Sequence, residues 1–272
     1  MNYLECIFNV IELNHVQIDI MIAKLYEFGF DSFEHKNHTL HAYIAKNELS
    51  ESNLVSIFPF DVSLVSIKSL ENRNWNSIWE SNFNPVSIND CYIRAPFHQM
   101  SKLKYDIVIS PNMSFGTGHH PTTQLMIKMI LSIDFMNKRV LDVGSGTGVL
   151  SILADKKNAS HVIAIDIDQN AYRNTIDNVS LNKTTNIKVF NSDVFSFLNK
   201  DKFDILLVNI NKNTIKNQFE YFNKIMSKNG IIILSGFLDS DFSEINKIAS
   251  INCFLLKKEI CKDGWKCIMY KK

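Results

Sequence analysis

The feature that most restricts the fold of this chain is a glycine-rich junction between an apolar run and a helical pattern. Gly144, Gly146 and Gly148 alternate with other residues at this point. Glycine allows a tight turn and lets a ligand approach the N-terminus of the following helix. A dinucleotide-binding turn reads G-x-G-x-x-G, whereas here its last glycine is replaced by Val149 or Ser151. The junction therefore predicts a ligand loop that differs from a dinucleotide site.

Strand and helix patterns alternate from residue 86 onwards, which is typical of a parallel sheet with helices on both faces. Strand patterns cover 139–143, 161–166, 187–190, 203–209 and 230–235, and helical patterns cover 123–133, 149–157, 169–181 and 214–226. The last strands, 254–260 and 266–270, surround an Asp-Gly pair and predict a hairpin. This order resembles the seven-stranded Rossmann-like methyltransferase domain, and we predict an α/β fold for residues 85–272.

Residues 1–70 follow a different order. The residues predict a βαββαβ pattern. It consists of a strand, a helix capped by Asn14, two strands at 31–35 and 40–45, a helix at 48–58 and a final strand at 62–69. This pattern is typical of a small α+β ferredoxin-like domain, which we interpret as a substrate-recognition domain. Residues 71–84 carry Trp75 and Trp79 at helical spacing and predict a linker helix.

Net charge separates the two parts of the chain. Residues 1–70 hold 4 Lys and 9 Asp or Glu, a net charge of −5, and the remainder has a net charge of +6. An acidic surface is repelled by phosphate backbones and attracted to a basic protein. We therefore expect a protein partner and no direct nucleic-acid recognition, although two solvated faces without partners would carry the same charges.

Three acidic residues are candidates for ligand binding. Asp142 directly precedes the glycine loop, where its charge suits a ligand with an ammonium group. Asp166 ends the next strand, a position at which a carboxylate accepts ribose hydroxyls. Asp193 follows the strand after that and is a candidate for contact with an adenine amino group. Asp168, by contrast, is predicted to be a helix N-cap.

A second motif is Phe115-Gly116-Thr117-Gly118-His119-His120-Pro121-Thr122-Thr123. By itself it predicts a loop that delivers Thr122 or Thr123 as a helix cap. Together with the Asp142–Gly148 loop and Val208-Asn209-Ile210, it resembles the ribosomal protein L11 methyltransferase (PrmA) family. The spacing of Trp75, Trp79 and Pro85 is similar to the linker of that family.

The resemblance implies a class I methyltransferase that uses S-adenosyl-L-methionine to methylate lysine side chains and the N-terminal amine of a large-subunit ribosomal protein. A mobile linker would reposition the small domain over the catalytic domain of a monomer. The residues carried over as cofactor contacts are Thr123, Gly144, Asp166 and Asn209, to which the loop analysis adds Asp142, Gly146 and Asp193.

Asn209 is the candidate catalytic residue. Its side-chain carbonyl can hold a neutral amine while the lone pair of the amine stays free for an in-line displacement. The family usually reads Asn-Ile-Leu here, but this chain reads Asn209-Ile210-Asn211. We therefore expect a more polar wall beside the transferred methyl group.

Other features exclude several classes of protein. No apolar run approaches the ~20 residues of a membrane span, and no basic leader precedes an apolar segment, so we expect a cytoplasmic protein. The 5 scattered cysteines indicate neither a disulfide framework nor a zinc knuckle. Period-two alternation would place His35 and His41 on one face of a hairpin and His38 on the other, and we expect no metal site.

Two alternative functions remain open from the sequence. The same catalytic domain could methylate RNA or a small-molecule amine, which the acidic first part and the scarcity of Arg disfavour. The chain could also be a binding module without activity, which the intact set of Asp142, Gly144, Asp166 and Asn209 disfavours.

Overall fold

The computed structural model describes residues 3–30, 32–45, 58–70, 84–110, 115–198 and 202–272. The chain forms two compact units, Met1–Asn82 and Phe83–Lys272. The helices predicted at 48–58 and 71–84 lie, except for their last residues, outside the described residues. None of the helices in the described ranges combines the length and the apolar character that a membrane span requires.

The described part of the first unit is an antiparallel sheet with a helix on one face. Strands β1 (Tyr3–Asn9), β2 (Ser32–Lys36), β3 (Thr39–Ala45) and β4 (Ser63–Leu70) lie in the order β2-β3-β1-β4, and helix α1 (His15–Glu27) follows β1. Asn14 caps α1 as predicted, because its Oδ1 accepts the Gln17 N–H and Gln17 Oε1 accepts the Asn14 N–H, both at 3.0 Å. Cys6, Phe8 and Met21 contribute to the core between sheet and helix.

The β2–β3 hairpin corrects the expectation about its histidines. Glu34 lies opposite His41, and His35 lies opposite Leu40. Directly opposed residues share a face of a sheet, so His35 and His41 project to opposite faces. The alternation counted along the chain was wrong because the turn, in which Asn37 has φ 51°, reverses the strand.

The second unit contains a large mixed sheet. Its strands are β8 (Arg139–Val143), β9 (His161–Asp166), β10 (Ile187–Asn191), β11 (Phe203–Asn209), β12 (Met226–Leu238), β13 (Leu255–Lys262) and β14 (Trp265–Lys271), in the order β10-β9-β8-β11-β12-β14-β13. The first five in this order are parallel, and β14 runs antiparallel to both β12 and β13. The predicted parallel sheet with an antiparallel hairpin is confirmed. A smaller sheet, β5-β6-β7, consists of Val86–Ile88, Cys91–Arg94 and Tyr105–Val108.

Helices cover both faces of the large sheet. They are α2 (Pro121–Leu131), α3 (Val149–Lys156), α4 (Gln169–Leu181), α5 (Lys212–Ile225) and α6 (Phe242–Ile251). Alternate residues of the central strands enter two separate cores: Leu207 packs with residues of α2 and α3, and Leu206 packs with residues of α5 and α6. Burial on both faces explains the continuous apolar runs of these strands.

The direction of the strand order reverses at β8. From β8 the chain proceeds outwards through β9 and β10, and then returns to place β11 on the other side of β8. In open α/β sheets, ligands bind at such a switch point, outside the carboxyl ends of the strands. Here this crevice lies beyond Val143 and Asn209, the last residues of β8 and β11.

Candidate functional site

In the loop after β8, the three glycine positions are packed too closely for a residue with a side chain. Gly144, Gly146 and Gly148 all have positive φ, at 73°, 57° and 78°. A Cβ atom on Gly144 would lie 2.4 Å from Ile210 Cγ2, and one on Gly146 would lie 2.3 Å from the carbonyl oxygen of Phe115. The alternating glycines therefore serve both the backbone turn and the close approach of two neighbouring segments.

The N–H groups of this loop are all used inside the protein. Gly144 and Ser145 donate to the carbonyl oxygen of Ile165 at 2.9 and 3.0 Å, and Gly146 donates to Asp166 Oδ2 at 2.9 Å. The N–H groups of residues 147 and 148 donate to carbonyl oxygens within the same unit at 2.9 and 2.7 Å. A phosphate-binding loop needs N–H groups that point at the anion. Residues 144–148 offer none, in agreement with the absence of the dinucleotide glycine spacing.

Asp142 is fully buried beneath the loop. Its Oδ2 accepts the N–H of Ser151 at 3.1 Å and the Ser151 hydroxyl at 2.7 Å. Helix α3 has Gly148 as its N-cap and no side-chain cap of its own, so this carboxylate satisfies its first turn. The second oxygen, Oδ1, has no hydrogen-bond partner in the part of the chain that the structure describes. Burial raises the pKa of Asp142 to about 7, against the lowering effect of the Ser151 hydrogen bonds.

Asp166 links the loop to the end of β9. Its Oδ2 holds the Gly146 N–H, and its Oδ1 accepts the Asp168 N–H at 3.0 Å. These two bonds fix the carboxylate at the carboxyl edge of the sheet. Asp168 caps α4 as predicted, by accepting the N–H groups of Asn170 and Ala171. Between the two acids, Ile167 exposes 78% of its surface.

Asp193 also lies at this edge, after β10. Its Oδ1 accepts the N–H and the hydroxyl of Ser196, both at 3.3 Å, and caps a short 3-10 helix at Val194–Phe197. The preceding Ser192 donates its N–H to the carbonyl oxygen of Asp166 at 3.0 Å, which ties this segment to the Asp166 position.

The motif at 115–123 packs against the glycine loop from the other side. The carbonyl oxygen of Phe115 accepts the Thr147 N–H, and Gly116 accepts the Thr147 hydroxyl at 2.7 Å. The predicted cap at Thr122 or Thr123 is wrong. His120 is the N-cap of α2, because Pro121 occupies the first helical position and the His120 ring accepts the Thr122 N–H. Thr123 is instead fully buried, and its Oγ1 makes no hydrogen bond to any described residue.

Aromatic rings surround His120. Its ring centroid lies 5.1 Å from that of Phe115 and 4.8 Å from that of Trp265, the first residue of β14. We call Phe115, His120 and Trp265 the aromatic wall. Sequence reasoning missed Trp265, because β14 is distant in the chain and no local pattern links it to the 115–123 motif.

Asn209 ends β11 opposite Ser235 of β12. Its Oδ1 is buried and has no hydrogen-bond partner among the described residues. The neighbouring Ile210 is held between two glycines: a Cβ on Gly236, whose φ is 100°, would lie 2.0 Å from the carbonyl oxygen of Ile210. Sequence reasoning also missed Gly236, although an isolated glycine within a strand pattern often marks such a close approach.

Asn211 was expected to make the wall beside the transferred methyl group more polar, but its side chain has a different role. It is exposed and is the N-cap of α5, because its Oδ1 accepts the N–H and the hydroxyl of Thr214 at 2.9 Å. Its polar group thus serves the helix terminus. In the same described ranges, no group of three or more His, Cys, Asp or Glu side chains could hold a metal ion.

Comparison with known proteins shows which family the chain resembles. The family described as ribosomal protein L11 methyltransferase (PrmA) matches residues 11–272. A ribosomal protein L11 methyltransferase of Porphyromonas gingivalis is 37% identical over 260 residues, which cover 93% of this chain and 90% of the relative. The protein of the same name from Bacteroides fragilis is 35% identical over 278 residues, with 99% of each chain covered.

A solved structure shares the fold. The crystal structure of a ribosomal protein L11 methylase from Lactobacillus delbrueckii subsp. bulgaricus matches with a TM-score of 0.64 and 23% identity, covering 69% of this chain and 98% of that chain. At this identity, the likeness concerns the fold alone. With the sequence match over nearly the whole length, the conclusion is that this chain belongs to the ribosomal protein L11 methyltransferase (PrmA) family.

Proposed function

We propose that this chain uses S-adenosyl-L-methionine to methylate amino groups of ribosomal protein L11, namely lysine side chains and the N-terminal amine. The observation that carries the proposal is that three buried oxygens of the predicted site residues have no hydrogen-bond partner among the described residues: Thr123 Oγ1, Asp142 Oδ1 and Asn209 Oδ1. Buried polar atoms normally have partners. These oxygens suit ligands that bring N–H donors or positive charge, as this cofactor and an amine substrate do.

The residues at the switch point fit the cofactor. Gly144 and Gly146 let the loop turn tightly against Ile210 and Phe115, which holds the carboxyl end of β8 close to Asp166. Asp166 retains acceptor sites for two ribose hydroxyls, because a carboxylate offers about four lone-pair sites and two are used by N–H groups. The exposed Ile167 offers apolar surface to the adenine ring. Asp193 Oδ2, which accepts no hydrogen bond from a described residue, is our candidate for the adenine amino group.

The chemistry asked of the protein is alignment. The bound cofactor supplies an activated methyl group on a positively charged sulfur. A lysine has an ordinary pKa near 10.4 and must lose its proton before attack, which a pocket of low polarity favours. Asn209 Oδ1 would accept an N–H of the neutral amine, which leaves the lone pair of the amine free for in-line attack on the methyl group. We assign no dedicated strong base.

The remaining parts of the proposal concern the first unit. We assign residues 1–70 to a ferredoxin-like substrate-recognition domain, 71–84 to a linker helix and 85–272 to the catalytic domain of a monomer. The order β2-β3-β1-β4 with antiparallel pairing supports the ferredoxin-like assignment. The net charge of −5 supports recognition of a basic protein.

A transfer assay with methyl-labelled cofactor tests the function. Unmethylated L11, intact ribosomes and ribosomal RNA are incubated separately with the purified protein. We expect label in L11, located by mass spectrometry on lysine side chains and the N-terminal amine. Label in RNA alone would support the alternative substrate class, and no label in any sample would contradict an enzymatic role.

A further inference from the structure

A groove in the first unit lies at the end of the sheet where β1 stops and β4 begins. It has a volume of about 690 Å³ and is lined by residues of the turn after β1 and of the segment that leads into β4. This volume falls within the range of pockets that enclose ligands or anchoring side chains. All of its described lining residues belong to the first unit.

The floor of the groove is aromatic. Phe58 packs edge-on against the buried Phe8, with ring centroids 6.0 Å apart. Phe60 stacks on Phe58 at 6.1 Å with an angle of 13° between the rings. At the rim, Ile11 exposes 58% of its surface. The floor is therefore anchored in the core, while its outer edge offers apolar surface to a partner.

The charged residues among the described lining of the groove are both acidic. Glu12 and Asp61 line it, and neither carboxylate makes an ion pair with any described residue. Two other carboxylates of this unit are paired: Glu5 lies 2.8 Å from His41, and Glu34 lies 2.7 Å from Lys36. The groove thus joins an aromatic floor to two carboxylates that form no ion pair within the described ranges.

Hydrogen bonds within the chain order the rim of the groove. Asn9 Oδ1 accepts the Ile11 N–H at 3.1 Å, and the Leu13 N–H donates to the carbonyl oxygen of Val10 at 3.1 Å. The cap on Asn14 then starts α1 directly after the turn. A surface that is already ordered loses little conformational freedom on binding.

We propose that this groove binds a basic segment of the substrate protein by taking up a Lys or Arg side chain. The aliphatic stem would lie on Phe58 and Phe60, where a cation also gains from the ring faces, and the charged end would reach Glu12 or Asp61. The proposal rests on the proposed function, since it names a docking site for that substrate. The two carboxylates repel the phosphates of a nucleic-acid backbone, which favours a basic protein segment as the occupant.

The test compares the double variant Glu12→Gln/Asp61→Asn with the wild type. Affinity for unmethylated L11 is measured by titration calorimetry at low and high salt, and methylation is measured by steady-state kinetics. We expect Kd and KM to rise about three- to tenfold at low salt, with kcat unchanged and a weaker dependence of affinity on salt. Ile11→Ser, at an exposed position, should raise KM without changing that salt dependence.

Glu34→Gln is the matched control, because Glu34 is also exposed but is paired with Lys36 and lies outside the groove. It should leave KM at the wild-type value. Wild-type affinity and KM in both the double variant and Ile11→Ser would overturn the groove proposal while L11 methylation still stands. Failure of the wild-type protein to methylate L11 would instead overturn the proposed function itself.

Discussion

Replacing Asn209 by alanine should separate stability from activity. The buried Oδ1 of Asn209 has no hydrogen-bond partner among the described residues, and such an atom costs about 1–3 kcal/mol of stability. Removing it recovers part of this cost, which offsets the packing lost with the amide. We therefore expect the free energy of unfolding of Asn209→Ala to be unchanged or raised by about 1 kcal/mol.

The kcat of Asn209→Ala should fall, although its free energy of unfolding should not. A hydrogen bond to a group that becomes charged contributes about 1.5–3 kcal/mol, and the attacking amine gains positive charge during transfer. Loss of this contact in the transition state corresponds to a fall in kcat of about ten- to a hundredfold. The measurement is methylation of L11 at saturating cofactor, with cofactor affinity determined separately by calorimetry.

Asn223→Ala is the control for stability. Asn223 is a partly buried asparagine whose Nδ2 donates to the carbonyl oxygen of Asn252 at 3.2 Å, distant in the chain from the loop and the aromatic wall. It should lose about 1 kcal/mol of stability and keep its kcat. Wild-type kcat in Asn209→Ala would refute orientation of the amine by this residue, and a loss of several kcal/mol of stability would refute the assignment of an unsatisfied Oδ1.

Three further predictions concern the cofactor site. Asp166→Ala should weaken cofactor affinity at least tenfold, since hydrogen bonds to a carboxylate contribute about 1.5–3 kcal/mol; unchanged affinity in calorimetry would remove Asp166 from the site. Gly146→Ala should lower both the melting temperature and the cofactor affinity, because the added Cβ would lie 2.3 Å from a backbone oxygen. Gly264→Ala is the control, because Gly264 also has a positive φ of 78° but has no atom within 4 Å of the added Cβ. It should lose only about 1 kcal/mol of stability and keep its cofactor affinity. The pKa of Asp142 is raised to about 7 from an ordinary 3.8. Between these two values the folded protein holds a proton that the unfolded chain releases. The free energy of unfolding should therefore fall by at most about 4 kcal/mol as the pH rises from 4 to 7. Asp142→Asn should flatten this dependence in urea denaturation, and an identical pH slope in both proteins would contradict it.

Local patterns predicted the second unit well for a physical reason. Its central strands are buried on both faces, so their apolar runs are continuous, and each run is followed by a loop whose residue types depend on the turn. Asp168 and Asn14 were identified as caps because capping needs only neighbouring N–H groups. The same logic failed at α2, where Pro121 starts the helix and makes His120 the cap.

Contacts between distant segments could not be read in this way. Trp265 joins the aromatic wall through the pairing of β12 with β14. Gly236 is required by the carbonyl oxygen of Ile210, which is 26 residues earlier in the chain. His41 and His35 lie on opposite faces because cross-strand register, and not the count along the chain, determines the face.

The sequence by itself determined the alternation of strands and helices, the glycine loop with its acidic neighbours, the division of charge between the two parts and the resemblance to the family. These features depend on residues that are close in the chain or on composition. The tertiary structure alone decided that the loop N–H groups are all satisfied and that Asp142 Oδ1 and Asn209 Oδ1 have no partner among the described residues. It also decided that Glu12 lines the same groove as Phe58 and Phe60. Each of these depends on which distant segments pack together, because burial and hydrogen-bond satisfaction are properties of the whole fold.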